Sequence, residues 1–114
     1  MNLMRLIAVF AAVLTIALPA TAQEWTVKVQ RQIALMQDYP RSAVMRGDEG
    51  VARIRVHVLS DGTIGDVDLI QKTGSGILDR EAIRMPNRVK HIPPPPDGQP
   101  HMVEIAVQFR LGSD

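Results

Sequence analysis

The chain has no cysteine, which leaves an oxidising compartment open to it while supplying no disulfide to stabilise a fold there. It also lacks an excess of charge of either sign. Lysine and arginine number 13, aspartate and glutamate 12, for a net charge of +1 over 114 residues. A nucleic-acid partner demands a clustered basic surface, so none is expected. The three histidines, His57, His91 and His101, stand far apart. Nothing there matches the short ligand spacings of a zinc site, and neither a metal nor a cofactor is expected. A chain of this length forms one domain and buries only about 60–65% of its unfolded surface. That leaves little room for an enclosed active site.

Long apolar runs are confined to the start. Met1–Arg5 carries one positive charge, Leu6–Leu18 is apolar except for Thr15, and Pro19 ends the run before Ala20-Thr21-Ala22. A charged start, a short apolar run and a small-x-small site make the layout of a secretory signal peptide. A membrane span needs about 20 apolar residues, and only an extension to Ala22 would make this segment an uncleaved anchor, the alternative reading. Residues 1–22 are thus expected to be an export signal and residues 23–114 the folded domain. Loss of the signal removes Arg5 and no acid, which leaves a neutral chain.

The stretch Gly50–Gly62 organises the rest. Ala52, Ile54, Val56 and Val58 alternate with Arg53, Arg55, His57 and Leu59, the period of a strand with one buried and one wet face. Asp61-Gly62 supplies the positive φ of a tight hairpin. A second strand follows over about Thr63–Lys72. Ile64, Val67 and Leu69 do not share one parity, so either a bulge near Gly65-Asp66 or a strand that starts only at Asp66 is needed to restore the inward face. The last strand alternates Val103, Ile105, Val107, Phe109 and Leu111 against Glu104, Ala106, Gln108 and Arg110.

Three helical segments accompany these strands. Trp25, Val29, Ile33 and Met36 share one face of a helix over Glu24–Gln37, with Lys28, Arg31 and Gln32 opposite. Pro40–Arg46 reads as a short helix that starts at proline and ends at Gly47, with Ala43 and Val44 toward the sheet. Thr73–Gly76 reads as a flexible loop before a third helix, in which Leu78, Ala82 and Met85 point inward. Pro86 ends or kinks that helix, because proline inside one costs about 3 kcal/mol. The run Pro93–Pro96 prefers the extended polyproline conformation and serves as a rigid spacer. Helix, strand, strand, helix, strand with a right-handed crossover predicts an α+β fold. Its sheet has three antiparallel strands in the order 2-1-3, helices cover one face, and the last strand is an open edge.

No catalytic constellation emerges. Asp61 reads as a turn residue, and Asp66 and Asp68 as the wet face of a strand. Ser42, Ser60 and Ser75 have no neighbouring base, and Gly74-Ser75-Gly76 lacks the strand-turn-helix setting of a nucleophile. Arg53, Arg55 and His57 form a solvated row.

In order and spacing the pieces resemble the TonB C-terminal domain family. They are Tyr39-Pro40-Arg41-Ser42-Ala43, Gly47-Asp48-Glu49-Gly50, the strand ending Asp61-Gly62, Gly74-Ser75-Gly76 with Leu78-Asp79-Arg80-Glu81-Ala82, the prolines before Asp97-Gly98, and Val107-Gln108-Phe109-Arg110-Leu111. The resemblance implies a non-enzymatic periplasmic module that binds the Ton box, an extended segment of TonB-dependent outer-membrane receptors, by adding it as a strand. Carried over, the pairing edge is Val103, Glu104, Ile105, Ala106, Val107, Gln108 and Phe109, with Gln37, Asp38 and Tyr39 flanking the guest. The family's transducers carry an anchor histidine that couples to ExbB and ExbD, and a Pro-rich spacer. Leu6–Leu18 has no histidine, and almost nothing separates it from the domain. Asn87–Ile92 stands where the family has an Arg-Trp-aromatic segment. An envelope scaffold that dimerises or binds cell wall through the same edge is the alternative function, and an inner-membrane-anchored form the alternative location.

Overall fold

The computed structural model describes residues 20–112. Along the chain lie α1 (Ala20–Ala34), α2 (Arg41–Arg46), β1 (Gly50–Val58), β2 (Ile64–Gln71), α3 (Gly76–Arg84), a 3-10 turn (Met85–Arg88) and β3 (His101–Phe109). Apart from 20–22, which belong to α1, the expected export signal lies outside the described residues. No described helix is long and apolar enough to cross a membrane.

The sheet has the order β2-β1-β3, antiparallel throughout. Ala52, Ile54, Val56 and Val58 of β1 and Val103, Ile105, Val107 and Phe109 of β3 are buried on one face. The three helices add Trp25, Val29 and Ile33, then Ala43, then Leu78, Ala82 and Met85 to the same core. Of the two ways to restore the parity of β2 the structure takes the bulge, since the strand already begins at Ile64. Val56 faces Val67 while Val58 faces Ile64, so an extra residue sits at Gly65-Asp66. That residue returns Ile64, Val67 and Leu69 to the core side, where all three pack against it. A second irregularity, between Ile54↔Leu69 and Arg53↔Gln71, was not expected.

Other differences have local causes. α1 starts earlier than its apolar stripe and gives way to turns that carry Met36 and Gln37. Val44 is 43% exposed rather than facing the sheet. Six residues make under two turns, and Ala43 alone fills the contact. Gly47 closes α2 in the left-handed conformation at φ 73°, as expected. β3 ends at Phe109, two residues short of Leu111, because β1 begins at its partner Gly50. Beyond that point the Leu111 N–H donates to the Glu49 carboxylate at 2.6 Å. Thr73–Gly76 is a fixed cap, not a flexible loop. Asp79 accepts from the Thr73 N–H and hydroxyl, both at 2.8 Å, and Ser75 Oγ caps α3 and donates to Asp48 Oδ2 at 2.9 Å. Pro86 ends α3 and sits in the 3-10 turn, where the missing N–H costs least.

The hairpin turn presses on the chain ahead of the proline run. Asp61 accepts the Thr63 N–H at 2.9 Å, and the Thr63 side chain together with that N–H holds its pKa below the ordinary aspartate value. Gly62 has φ +91°, and a Cβ there would lie 2.2 Å from the Ile92 carbonyl oxygen. Gly62→Ala is therefore expected to cost about 2–3 kcal/mol of unfolding free energy. Urea denaturation measures this, and a loss under 0.5 kcal/mol would mean the turn is looser than described.

Candidate functional site

An antiparallel strand turns the N–H and C=O of alternate residues to the same side. In β3 the outward set is even-numbered. The Glu104 carbonyl accepts from Gln30 Nε2 at 2.9 Å and the Gln108 carbonyl from Gln37 Nε2 at 2.7 Å, both from the α1 side. The odd residues Val103, Ile105, Val107 and Phe109 turn their main chain to β1 and their side chains into the core. Glu104, Ala106 and Gln108 therefore present main-chain groups on a flank that no other described strand covers.

The two edges of the sheet differ. β3 pairs with β1 without a shift from Gly50↔Phe109 to Val58↔His101. The β2 ladder is broken twice, and bulges twist an edge away from further pairing. Only β3 offers a regular template.

The flanking residues meet at the C-terminal half of β3. Gln37 caps the Gln108 carbonyl, as above. The Tyr39 ring packs edge-on against Phe109 with centroids 5.5 Å apart, and its hydroxyl donates to the Asp48 carbonyl. Partial burial, with Glu49 and Asp48 nearby, holds this phenol above its usual pKa, so it stays a donor. Asp38 is instead drawn the other way. Its N–H donates to Glu81 Oε2 at 2.9 Å.

Glu81 was missed in the sequence and is the one buried charged residue among those described, 5% exposed. Arg88 grips it through two bonds of 2.5 and 2.7 Å and donates to the Met36 carbonyl at 3.1 Å. This knot ties α3 and the 3-10 turn to the bend that delivers Gln37 and Tyr39. Burial opposes ionisation of Glu81, but the Arg88 and Asp38 bonds outweigh it and hold the pKa below the ordinary glutamate value.

Residues 36–111 match the sequence profile of the Gram-negative bacterial TonB protein C-terminal. The chain belongs to the TonB C-terminal domain family. It is 27% identical over 96 residues to Protein TonB of Helicobacter pylori strain J99, covering 84% of this chain and 34% of that protein. To Protein TonB of Pasteurella multocida it is 32% identical over 83 residues, covering 73% and 32%. The chain thus spans about a third of the length of the curated relatives it matches. The fold is similar to the solution structure of the Helicobacter pylori TonB C-terminal domain. The TM-score is 0.69 at 23% identity, over 88% of this chain and 100% of that one.

In this TonB-type domain the matched region takes in β3 and Gln37 but begins past α1. Gln30 stands outside it, so neither family pattern nor residue type marked it. Its signal is the seven-residue step to Gln37, which puts both amides on one side of the helical bend.

Several polar groups elsewhere are paired across the surface. Arg55 meets Glu104 at 3.2 Å and Arg53 meets it at 3.8 Å, while His57 meets Asp68 at 2.8 Å and His101 meets Asp97 at 2.9 Å. Among the described residues no group of three or more His, Asp or Glu is placed to hold a metal ion. Trp25 is a core anchor whose indole N–H donates to the Pro93 carbonyl at 2.7 Å, which ties the proline spacer to α1.

Proposed function

We propose that this chain is a non-enzymatic, periplasmic recognition module of TonB-dependent transport, exported by residues 1–22, with residues 23–114 as its folded domain. It takes an extended Ton box-like segment of an outer-membrane transporter as a fourth strand along β3. The observation that carries this reading is the unshifted β3 ladder with the main chain of Glu104, Ala106 and Gln108 on its outer side. Main-chain pairing supplies affinity, and alternate guest side chains supply selectivity. Val103, Ile105, Val107 and Phe109 hold the edge in place through the core, Gln37 and Tyr39 border its C-terminal half, and Asp38 fixes the bend between them through Glu81.

Gln30 and Gln37 act as placeholders on this edge. An unpaired edge strand invites unwanted pairing, and the two amides occupy carbonyls that a guest needs. Replacing both by alanine removes two exposed hydrogen bonds, each worth about 0.5–1.5 kcal/mol. A Ton box peptide is then expected to bind up to about tenfold more tightly, while the free domain melts several degrees lower. Isothermal titration reads the affinity. Weaker binding by the double variant would contradict the placeholder role and make the glutamines direct contacts.

A further inference from the structure

Between α1 and β3 runs an open groove of about 450 Å³. Val27, Gln30, Arg31 and Ala34 line it from the helix, and Glu104 and Ala106 from the strand. Val27 is 48% exposed, although β-branched and apolar. Arg31 has no carboxylate within ion-pair distance among the described residues. The one acid of the groove, Glu104, is committed to Arg53 and Arg55 on the other face of the sheet. The α1 wall therefore offers apolar Val27 and Ala34, the Gln30 amide and, at Arg31, one positive charge without a carboxylate partner among the described residues.

The helix and the strand run side by side. Gln30 reaches Glu104, and Gln37 reaches Gln108. Gln30 lies within α1 and Gln37 three residues past its end at Ala34, while their partners lie about 13 Å apart along the strand, so α1 and β3 advance together in one direction. A guest paired to β3 would follow the same line and turn every second side chain toward α1. Those side chains recur about every 6.6 Å. Val27 and Arg31 are four helical residues apart, about 6 Å, which matches that interval.

We infer that α1 is the selectivity wall of the docking groove, and that it fits an extended segment with a carboxylate two residues from an aliphatic side chain. The aliphatic group packs on Val27 or Ala34, and the carboxylate pairs with Arg31. This rests on the strand-addition reading, and it assigns the guest's side-chain chemistry to a helix that lies before the family-matched residues.

The probe is a fluorescent heptapeptide of threonine with valine at its second and sixth positions and glutamate at its fourth. It presents the same spacing in either strand direction. Analogues carry glutamine or lysine in place of the glutamate. Anisotropy with the full chain is expected to rank glutamate about fivefold tighter than glutamine and about tenfold tighter than lysine. Arg31→Glu, a change at an exposed position, should reverse the order so that the lysine peptide binds best. If the amides of Glu104, Ala106 and Gln108 shift while the three peptides bind equally, or if Arg31→Glu leaves the ranking intact, the inference is overturned and strand addition stands. If no peptide binds and no β3 amide moves, both fall together.

Discussion

Ala106→Pro should leave the domain folded and cost a Ton box peptide at least about thirtyfold in affinity. The main chain of Ala106 belongs to the outward set, so its N–H makes no ladder bond to β1. Proline is tolerated on an edge strand where the missing N–H would face outward, and the residue before it, Ile105, is already extended as proline requires. A guest strand, by contrast, loses a donor at the middle of the edge. The neighbouring change makes the control. Ile105→Pro deletes a bond to β1 and removes a buried side chain, and should cost about 3 kcal/mol or more of stability. Thermal melts and peptide titrations on the two variants separate these outcomes. Tight binding by folded Ala106→Pro would place the guest elsewhere.

The largest effects on stability are expected at the Glu81–Arg88 knot. Breaking a buried pair costs about 3–5 kcal/mol because a charge is left without its partner. Glu81→Ala should fall at the low end, about 3 kcal/mol, since the Arg88 side chain is partly exposed and can turn to water. For a domain of this size that is a drop of about 15 °C in melting temperature. Arg88→Met should cost more, because it leaves the carboxylate stranded in the interior. The pH dependence then separates the two causes. In the unsubstituted chain Glu81 titrates below its unfolded value, near 4.3. Its contribution is whole above that pH and is lost as the pH falls through the lower folded value. In Arg88→Met burial dominates and the folded pKa rises above the unfolded one. The sign reverses, and acidification through the glutamate range should stabilise that variant relative to neutral pH. Parallel loss of stability on acidification in both chains would mean that Glu81 is not governed by Arg88.

Much of this architecture was legible because single residues carry strong local rules. The alternation from Ala52 to Val58 placed β1, and the odd step between Ile64 and Val67 called for either a start at Asp66 or the bulge that is found at Gly65-Asp66. Pro86 ended a helix as its ring demands. What stayed hidden depends on partners distant in sequence. Glu81 read as a polar helical residue, although it lies three after Leu78 and four before Met85, on the face that faces the core. Its buried charge is explained only once Arg88 and the Asp38 N–H are brought to it. The bonds from Thr73 to Asp79 and from Ser75 to Asp48 were hidden because Gly74 and Gly76 give the segment the composition of a flexible loop. The edge itself was expected, yet its two glutamine caps were not. Composition marks a helix's wet face without saying which strand that face will meet.

Amide hydrogen exchange of the full chain, with and without a saturating Ton box peptide, tests the central claim most directly. The N–H groups of Glu104, Ala106 and Gln108 should exchange at least about tenfold more slowly in the complex, while Val103, Ile105 and Val107, already bonded to β1, change little. Protection that appears along β2 instead, or a bound state in which the three outward amides exchange as freely as before, would contradict the account.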